Sequence, residues 1–420
     1  MNPVLRLVGV VFVFFFTAVA WLILAGVMST RTSETSSSLD GRVSDLWGSP
    51  QAQAAPAFQL EWNELVSTTQ QVTDASTGRV TTVVKQDPVL RTTSVDPSQT
   101  RIDVGLRLDQ RRKGLLWFPL YDVDFAGAWA YTHVGVPRTL RLTFLFPDRQ
   151  GVYDDLRFVV DGVDRARDAR PVDGAMTWTV SVVDDQHVAF EVGYRSRGMR
   201  EWTYQPTAGV GQIENFTLDM TTDFARVDYP RLTMSPSSAV RDGEGWRLSW
   251  TFARLVSGYG IGMVMPERIQ PGALAASMSL TAALPLGLYF LWIYVLGVLR
   301  GTNIHPINYL FIAGAFFSFN LLFGYTADHL PIEGAFALAS GVSVLLVVSY
   351  LRLVVGATFA LREAGLAQLL YQVGFSLAHF WDGFTGLSIT VLGVITLFAL
   401  MQLTGRIDWS KALSASPASD

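Results

Sequence analysis

The sequence from Leu7 to Val27 reads LVGVVFVFFFTAVAWLILAGV, an apolar run without a single charged side chain. A helix rises about 1.5 Å per residue, so this run is long enough to cross a hydrocarbon core of about 30 Å. The competing interpretation is a cleaved signal peptide, but the apolar run is long for one, and no clean small-x-small cleavage site precedes the polar residues 29–38. We expect an uncleaved anchor at 1–28, and either interpretation exports the chain that comes after it.

Five further apolar segments come after residue 270, each near the length of a membrane-spanning helix. They cover about 274–299, 306–326, 332–355, 364–380 and 384–404. Backbone polar groups in lipid must bond within their own segment, which favours helices. The sequence therefore predicts six transmembrane helices, the last five forming a bundle over 274–404. Segment 364–380 is the weakest, because it is short and follows Arg362 and Glu363, and a re-entrant pair 332–355 and 364–380 is the alternative.

Basic residues in the short connections predict the orientation. With the N-terminus inside, one side receives Arg6, Arg300, Arg352, Arg362, Arg406 and Lys411. The short loops 326–331 and 381–383 on the other side contain neither Lys nor Arg. Cytoplasmic loops carry an excess of these residues, so we expect both termini, including a tail at 405–420, in the cytoplasm.

Residues 57–273 are expected to form a large β-rich domain outside the cytoplasm. Alternating patterns recur there, as in TLRLTFLF (139–146), MTWTVSVV (176–183), HVAFEVGY (187–194) and WRLSWTF (246–252). Such alternation is typical of half-buried antiparallel strands. Many short strands without helical patterns between them favour one or two β-sandwiches, although the pattern does not separate sandwich from barrel. Residues 29–56 are interpreted as a flexible polar linker.

Composition limits the classes of function. Half of the residues are hydrophobic, only 16% are charged, and the mean hydropathy is +0.29, which is typical of a membrane protein. The net charge of −4 argues against a nucleic-acid partner, and no basic run is long enough to suggest binding to a phosphate backbone. No cysteine is present, which excludes disulfides and thiol chemistry. No Walker, GxGxxG, HExxH or GxSxG motif occurs, so we expect no cofactor and no familiar enzyme activity.

One group of ionisable residues is a candidate site. The predicted topology brings Asp328, His329 and Glu333 of one outer loop near His379 and Asp382 of the other. Imidazoles and carboxylates at a membrane edge could bind a divalent cation or relay protons. The more ordinary interpretation is that the carboxylates cap helix ends at the wet interface. Asn308, Ser318 and Asn320 within the third span could bond neighbouring helices.

Several short motifs lie in and beside the predicted spans. They are Ile304, His305, Pro306 and Tyr309 at the third span, Asp328 and His329 in the outer loop, and Ile407, Asp408 and Trp409 after the last span. With these motifs the chain is similar to the CreD-like family of bacterial inner-membrane proteins, as a divergent member. The layout of one anchor, an exported domain and five spans also matches, but Asp328 stands where the family has Glu. A capped helix start is the ordinary interpretation of His305.

This resemblance implies a role in cell-envelope integrity or the envelope stress response, without a molecular mechanism. Our leading hypothesis is a non-enzymatic inner-membrane protein whose exported β domain binds a protein, lipid or cell-wall partner. A small transporter or ion-coupled protein using the helical bundle is one alternative. A membrane-anchored enzyme with an outer-face site is another. The lipid bilayer is the one partner that the sequence itself predicts, and it leaves the oligomeric state open.

Overall fold

The computed structural model describes residues 3–73, 80–302, 304–381 and 383–405. The chain divides into two compact units. The helical unit contains the chain up to Leu39, the turn Gly114–Leu116 and the chain from Ile269 onward. The β unit contains Asp40–Lys113 and Trp117–Arg268. The predicted combination of apolar helices with a large β domain is therefore confirmed.

Eight α-helices lie within the described residues. They are α1 Pro3–Trp47, α2 Pro271–Thr281, α3 Ala283–Leu299, α4 Pro306–Thr326, α5 Ile332–Val355, α6 Leu366–Gln368, α7 Phe375–Leu377 and α8 Phe384–Thr404. Four of them, α1, α4, α5 and α8, are long and apolar enough to cross a membrane. The pair α2 and α3 adds a fifth span if the two helices, bent by 42°, cross as one. The number six and the orientation stay predictions.

The weakest predicted span, 364–380, lies in a helical stretch of unusual geometry. We call residues 359–380 the π-rich segment, because α6 and α7 alternate with two π-helical stretches, Phe359–Gly365 and Leu369–Gly374, and a 3₁₀ turn, Ala378–Phe380, ends it. π-Helical turns are rare and occur mostly singly, often at functional sites. Two of them in one segment therefore make this part of the bundle a candidate for function.

The prediction of a flexible linker at residues 29–56 is wrong. Helix α1 continues to Trp47, and Gln51–Ala54 forms strand β1. Within this helix the hydroxyls of Thr32 and Thr35 are satisfied by donating to carbonyls one turn back, at 2.8 and 2.7 Å. The sequence also places Leu39, Val43 and Trp47 four residues apart, on one helix face, and Val43 is fully buried.

The strands form three sheets. They are β1 Gln51–Ala54, β2 Ala57–Thr73, β3 Val80–Val95, β4 Gln99–Lys113, β5 Leu116–Thr132, β6 Arg138–Leu145, β7 Tyr153–Val160, β8 Val163–Asp164, β9 Ala175–Val182, β10 His187–Met199, β11 Glu201–Gln205, β12 Gly211–Thr222, β13 Ser238–Asp242, β14 Gly245–Ser257 and β15 Ile261–Val264. The sheet orders are β13-β14-β12-β4-β5-β10-β7-β8, β3-β2-β6-β9 and β1-β11-β15. All four quoted alternating patterns are strands. The pairs β12 with β4 and β1 with β11 are parallel.

The eight-stranded and four-stranded sheets pack face to face, as in the predicted sandwich. Aromatic rings from the two sheets pack against each other. The ring centroids of Phe125 and Phe144 are 6.3 Å apart, and those of Phe58 and Phe190 are 5.7 Å apart. A fully buried Phe contributes about 1.5–3 kcal/mol to stability, so these rings hold the sheets together. Both sheets are open in their strand order, which favours the sandwich over a barrel.

The core also contains a tyrosine whose hydroxyl shapes a turn. Tyr153 donates to the carbonyl of Asp148 at 2.7 Å and accepts from its backbone N–H at 2.8 Å. The centroid of its ring lies 4.6 Å from that of the Phe146 ring. Burial raises the pKa of Tyr153 to about 12.

We expect the free energy of unfolding to fall as the pH rises from about 10 to about 12. An unfolded tyrosine loses its proton near pH 10, whereas folded Tyr153 keeps it to about 12, so the raised pKa makes stability decline across this window. Denaturant titrations at several pH values measure the slope. In Tyr153→Phe the slope should be shallower, and an unchanged slope would contradict the assignment.

Continuity of α1 predicts sensitivity to proline. Ser36→Pro removes a backbone donor in a helix interior and should cost about 3 kcal/mol or more, seen as faster amide exchange around residues 35–47. Ser36→Ala is the matched control and should leave exchange unchanged. Equal amide exchange in the two variants would contradict a continuous helix and support a flexible linker.

Candidate functional site

Each of the outer-loop residues that were predicted as a site has different surroundings in the structure. Asp328 is 7% exposed and accepts a hydrogen bond from Arg31 of α1 at 2.5 Å. His329 and Glu333 are exposed. His379 is half-buried and its Nε2 lies 2.9 Å from the hydroxyl of Thr281. Asp382 lies outside the described residues.

These residues do not form a metal centre within the part of the chain that the structure describes. That part contains no group of three or more His, Cys, Asp or Glu suited to hold a metal ion. Asp328 is engaged by a guanidinium, and His379 is engaged by a hydroxyl on α2. The arrangement can join α1 to the start of the α4–α5 loop, and α2 to the π-rich segment.

The motif residues at the start of α4 build a helix junction. His305 caps the helix, its Nδ1 accepting from the N–H of Ile307 at 3.3 Å, and Pro306 occupies the first turn. Tyr309 is 1% exposed and meets Phe290 edge to face at 5.1 Å. A Cβ on Gly9 of α1 would lie 2.8 Å from Pro306, so the close approach of the two helices requires glycine.

The remaining motif residues are buried or outside the described residues. Ile304 is 1% exposed. The part of the chain that the structure describes does not include Ile407, Asp408 and Trp409. The ordinary interpretation of His305, a capped helix start, is therefore what the geometry shows.

A polar network that the sequence analysis missed lies inside the bundle. Gln368 donates from Nε2 to the hydroxyl of Ser343 at 3.0 Å and to Oε1 of Gln372 at 2.9 Å. Gln372 donates in turn to the carbonyl of Phe316 at 3.0 Å, and the Ser343 hydroxyl lies 2.7 Å from the carbonyl of Ala315. All three side chains are at most 3% exposed. The network joins α4, α5 and the π-rich segment.

The three polar residues singled out in the third span have different environments. Asn308 accepts from the hydroxyl of Tyr350 on α5 at 2.8 Å, as expected for a bond between helices. Ser318 donates to the carbonyl of Ala315 in its own helix at 2.8 Å. Asn320 is 4% exposed, and its Oδ1 has no hydrogen-bond partner among the described residues.

The outer face of the eight-stranded sheet carries a second set of polar groups. Strand alternation directs arginines and carboxylates to this face. Their ion pairs are Arg101–Asp103 (3.2 Å), Arg101–Asp219 (3.9 Å), Arg157–Glu191 (2.6 Å), Arg195–Asp124 (3.2 Å), Arg195–Asp155 (2.9 Å) and Arg197–Asp122 (3.0 Å). The hydrogen bond from Arg101 to Asp103, and then the charge of Asp103, raise the pKa of Arg101. We call this surface the charged face.

Two adjoining cavities lie on the charged face. One measures about 680 Å³ and the other about 350 Å³. They share Arg101, Asp103, Asp124 and Ala126 in their linings. Gly105 and Gly193 contribute no side chains to the floor, so charged groups surround a shallow groove. The signal for it was present in the sequence as Arg and Asp at alternate positions of β4, β5 and β10.

Comparison with known proteins identifies one part of the chain. Residues 280–410 match the family model described as Inner membrane protein CreD. No curated protein matches the chain. Among solved structures, a Legionella pneumophila protein provisionally described as a nutrient binding protein shares 10% identity, with a TM-score of 0.27, over 52% of this chain and 82% of that one. That similarity is too low to support an argument about fold or function.

The contact between Arg31 and Asp328 predicts that substitutions of the two residues have coupled effects on the free energy of unfolding. Asp328→Asn should lower the free energy of unfolding by about 1–3 kcal/mol, because a mostly buried acceptor of a charged donor loses its charge. Arg31→Gln should cost a similar amount, and the double variant should cost less than the sum. Denaturant unfolding of all three measures the coupling.

Exposed Glu333 supplies the control for this cycle. Glu333→Ala should change stability by no more than about 0.5 kcal/mol. A metal site would instead make Asp328→Asn, Glu333→Ala and a chelator destabilise the protein alike. That outcome would contradict the assignment of Asp328 to Arg31.

Proposed function

We propose that this chain, CreD-like over residues 280–410, is an inner-membrane protein of the bacterial cell envelope whose β domain binds a peptide partner outside the cytoplasm, without catalysing a reaction. The family match and the apolar helices support the membrane location. The asymmetry of Lys and Arg supports the outside location of the β domain. The charged face is the observation that carries the binding role.

The ion pairs of the charged face add little to the stability of the domain. An exposed ion pair contributes only about 0–1 kcal/mol, and many contribute nothing measurable. The arginines of this face are about half exposed or more, with Arg101 at 60% and Arg195 at 56%. The apolar core of the domain lies on the opposite side of the same strands. A partner therefore explains the concentration of charge better than the fold does.

The shape of the groove suits a bound chain. Ligand cavities in proteins commonly measure about 300–1,000 Å³, and both cavities of the charged face fall in this range. Ala126 of β5 pairs with Gly193 of β10, so two of the smallest residues lie side by side on the floor. An extended segment can approach the sheet there without displacing a large side chain.

The alternation of charge indicates the chemistry of the partner. Arg195 lies between Asp124 and Asp155, and Arg101 lies between Asp103 and Asp219. A partner of a single sign would meet a like charge beside every attractive one, which is unfavourable. A peptide that carries both ammonium and carboxylate groups fits this pattern.

Absence of catalysis is part of the proposal and rests on how the ionisable groups are used. The carboxylates of the charged face are paired with arginines, and Asp328 is paired with Arg31. In both arrangements the carboxylate is bonded to a guanidinium, whereas general acid and base catalysis requires a side chain within hydrogen-bond reach of a substrate proton.

Photocrosslinking tests the binding role. A photoreactive amino acid at Ala126, on the groove floor, should capture one envelope partner in membranes that contain the full-length chain. The same amino acid at Ala239, exposed on edge strand β13, is the matched control and should capture none. Arg195→Ala should weaken capture at position 126 by roughly tenfold, equivalent to about 1.4 kcal/mol.

Two outcomes would contradict the proposal. Equal adducts at positions 126 and 239 would indicate random encounter. A specific adduct at position 126 that is insensitive to Arg195→Ala would mean that the charges do not select the partner.

A further inference from the structure

A row of polar side chains runs the length of the π-rich segment. Its members are Glu363, Gln368, Gln372, Ser376 and His379. Their spacings are five, four, four and three residues, and a hydrogen bond five residues apart is what closes a π-helical turn. Gln368 and Gln372 touch at 2.9 Å, which confirms that they share a face. We call this row and its neighbours on other helices the polar row.

Two further residues extend the polar row on neighbouring helices. Ser343 and Gln372 meet the backbone of α4 at Ala315 and Phe316. One turn further along, Ser340 precedes Ser343 on α5, and Asn320 follows Phe316 on α4. Because the short α4–α5 loop makes these helices antiparallel, both steps lead toward that loop. Both residues are at least nine-tenths buried.

The polar row contains buried atoms that have no hydrogen-bond partner among the described residues. They are Glu363 Oε2, Gln368 Oε1, Asn320 Oδ1 and Ser340 Oγ. Leaving a buried polar atom unbonded costs about 1–3 kcal/mol, and such groups in proteins are normally satisfied by water when the chain does not satisfy them. Their concentration along one line points to a line of bound water.

The orientation of Gln368 is fixed by its own bonds. Its Nε2 donates to both Ser343 and Gln372, so Oε1 is left as an acceptor in a side chain that is fully buried. None of the described residues donates to this acceptor. Water supplies a donor, and a dry apolar environment does not.

The two ends of the polar row are ionisable. Glu363 pairs with Arg300 through Oε1 and is 17% exposed, while His379 pairs with Thr281 and contacts the edge of the Phe375 ring at 5.4 Å. They are 16 residues apart, a distance somewhat less than the about 24 Å that 16 residues of α-helix span, because π-helical turns rise less per residue, and still the larger part of a hydrocarbon core of about 30 Å. Ionisable residues within membrane segments mark ion or proton pathways by default.

We propose that the polar row conducts protons between His379 and Glu363 through bound water. A proton leaves the His379 imidazolium for the first water, each water forms one O–H bond as it releases another, and the last proton bonds to Oε2 of Glu363. Gln368, Gln372, Ser343 and Ser340 order the water without changing charge. Glu363 then releases its proton to the water at its end of the polar row, and His379 takes up another proton from the water at the other end, so each cycle moves one proton down its gradient. This activity does not depend on the partner of the charged face.

Proton flux into vesicles tests this proposal. The purified full-length chain is placed in liposomes with a trapped pH-sensitive dye, and a potassium gradient with valinomycin sets the membrane potential. Flux should exceed that of protein-free liposomes. Gln372→Leu and His379→Leu should each lower it about tenfold, the change expected when the barrier rises by about 1.4 kcal/mol.

Ser340→Ala separates conduction from structure. Its Oγ makes no hydrogen bond to the described residues, so the substitution removes no contact that stabilises the fold, yet flux should still fall severalfold. The matched control is Ser349→Ala on the same helix, whose exposed hydroxyl bonds only to the carbonyl of Leu346 in its own turn; it should leave flux unchanged.

Either of two results would overturn the proposal. Wild-type flux equal to that of protein-free liposomes excludes conduction without any substitution. Wild-type flux that survives Ser340→Ala and His379→Leu would show that protons take another route. A loss of folding in Gln372→Leu would leave the Ser340→Ala comparison decisive.

Discussion

The need of every polar group in an apolar surrounding for a hydrogen-bond partner shapes both units of this protein. In the helical unit, Gln372 donates to a backbone carbonyl of α4. Its amide oxygen accepts a hydrogen bond from Ser343 of α5. In the β unit, Gln53 is fully buried and bonds to the carbonyls of Ala54 and Leu145 and to the hydroxyl of Tyr194. Amide side chains thus tie together elements far apart in sequence.

The same requirement explains why some sequence patterns were misleading. Residues 51–54 read as a polar, low-complexity linker because Gln alternates with Ala. The alternation is that of a strand, and Gln51 and Gln53 are both buried; the amide of Gln53 is bonded at both its nitrogen and its oxygen. Polarity alone predicted exposure, but polarity with a full set of partners is compatible with complete burial.

Periodicity predicted the parts of the fold in which one physical term dominates. Apolar runs predicted α1, α4, α5 and α8 because burial in lipid outweighs other preferences over about 20 residues. Alternation predicted β6, β9, β10 and β14 because one face of each is buried. The π-helical geometry of residues 359–380 was beyond reach, since an apolar run of this length predicts a helix but not the number of residues in each of its turns.

The candidate sites were predicted less well because chemistry depends on proximity. Asp328, His329 and Glu333 are adjacent in sequence, yet only Asp328 is buried, and it is paired by Arg31, 297 residues away. The carboxylates of the charged face come from β4, β5, β7, β10 and β12, and no local motif joins them. The spacing of polar residues along 363–379 was visible, but its meaning required knowing which atoms stay unbonded.

The two polar systems differ in the way that their charges are arranged, and this difference separates their uses. On the charged face each charge has a neighbour of opposite sign and is open to water, so the energy of any single pair is small and a partner can exchange with it at little cost. Along the polar row the central groups are neutral and buried, and the ionisable ones stand only at the ends. Neutral amides and hydroxyls order water without holding a charge in place, which would trap a proton. The first arrangement therefore suits recognition, and the second suits transfer.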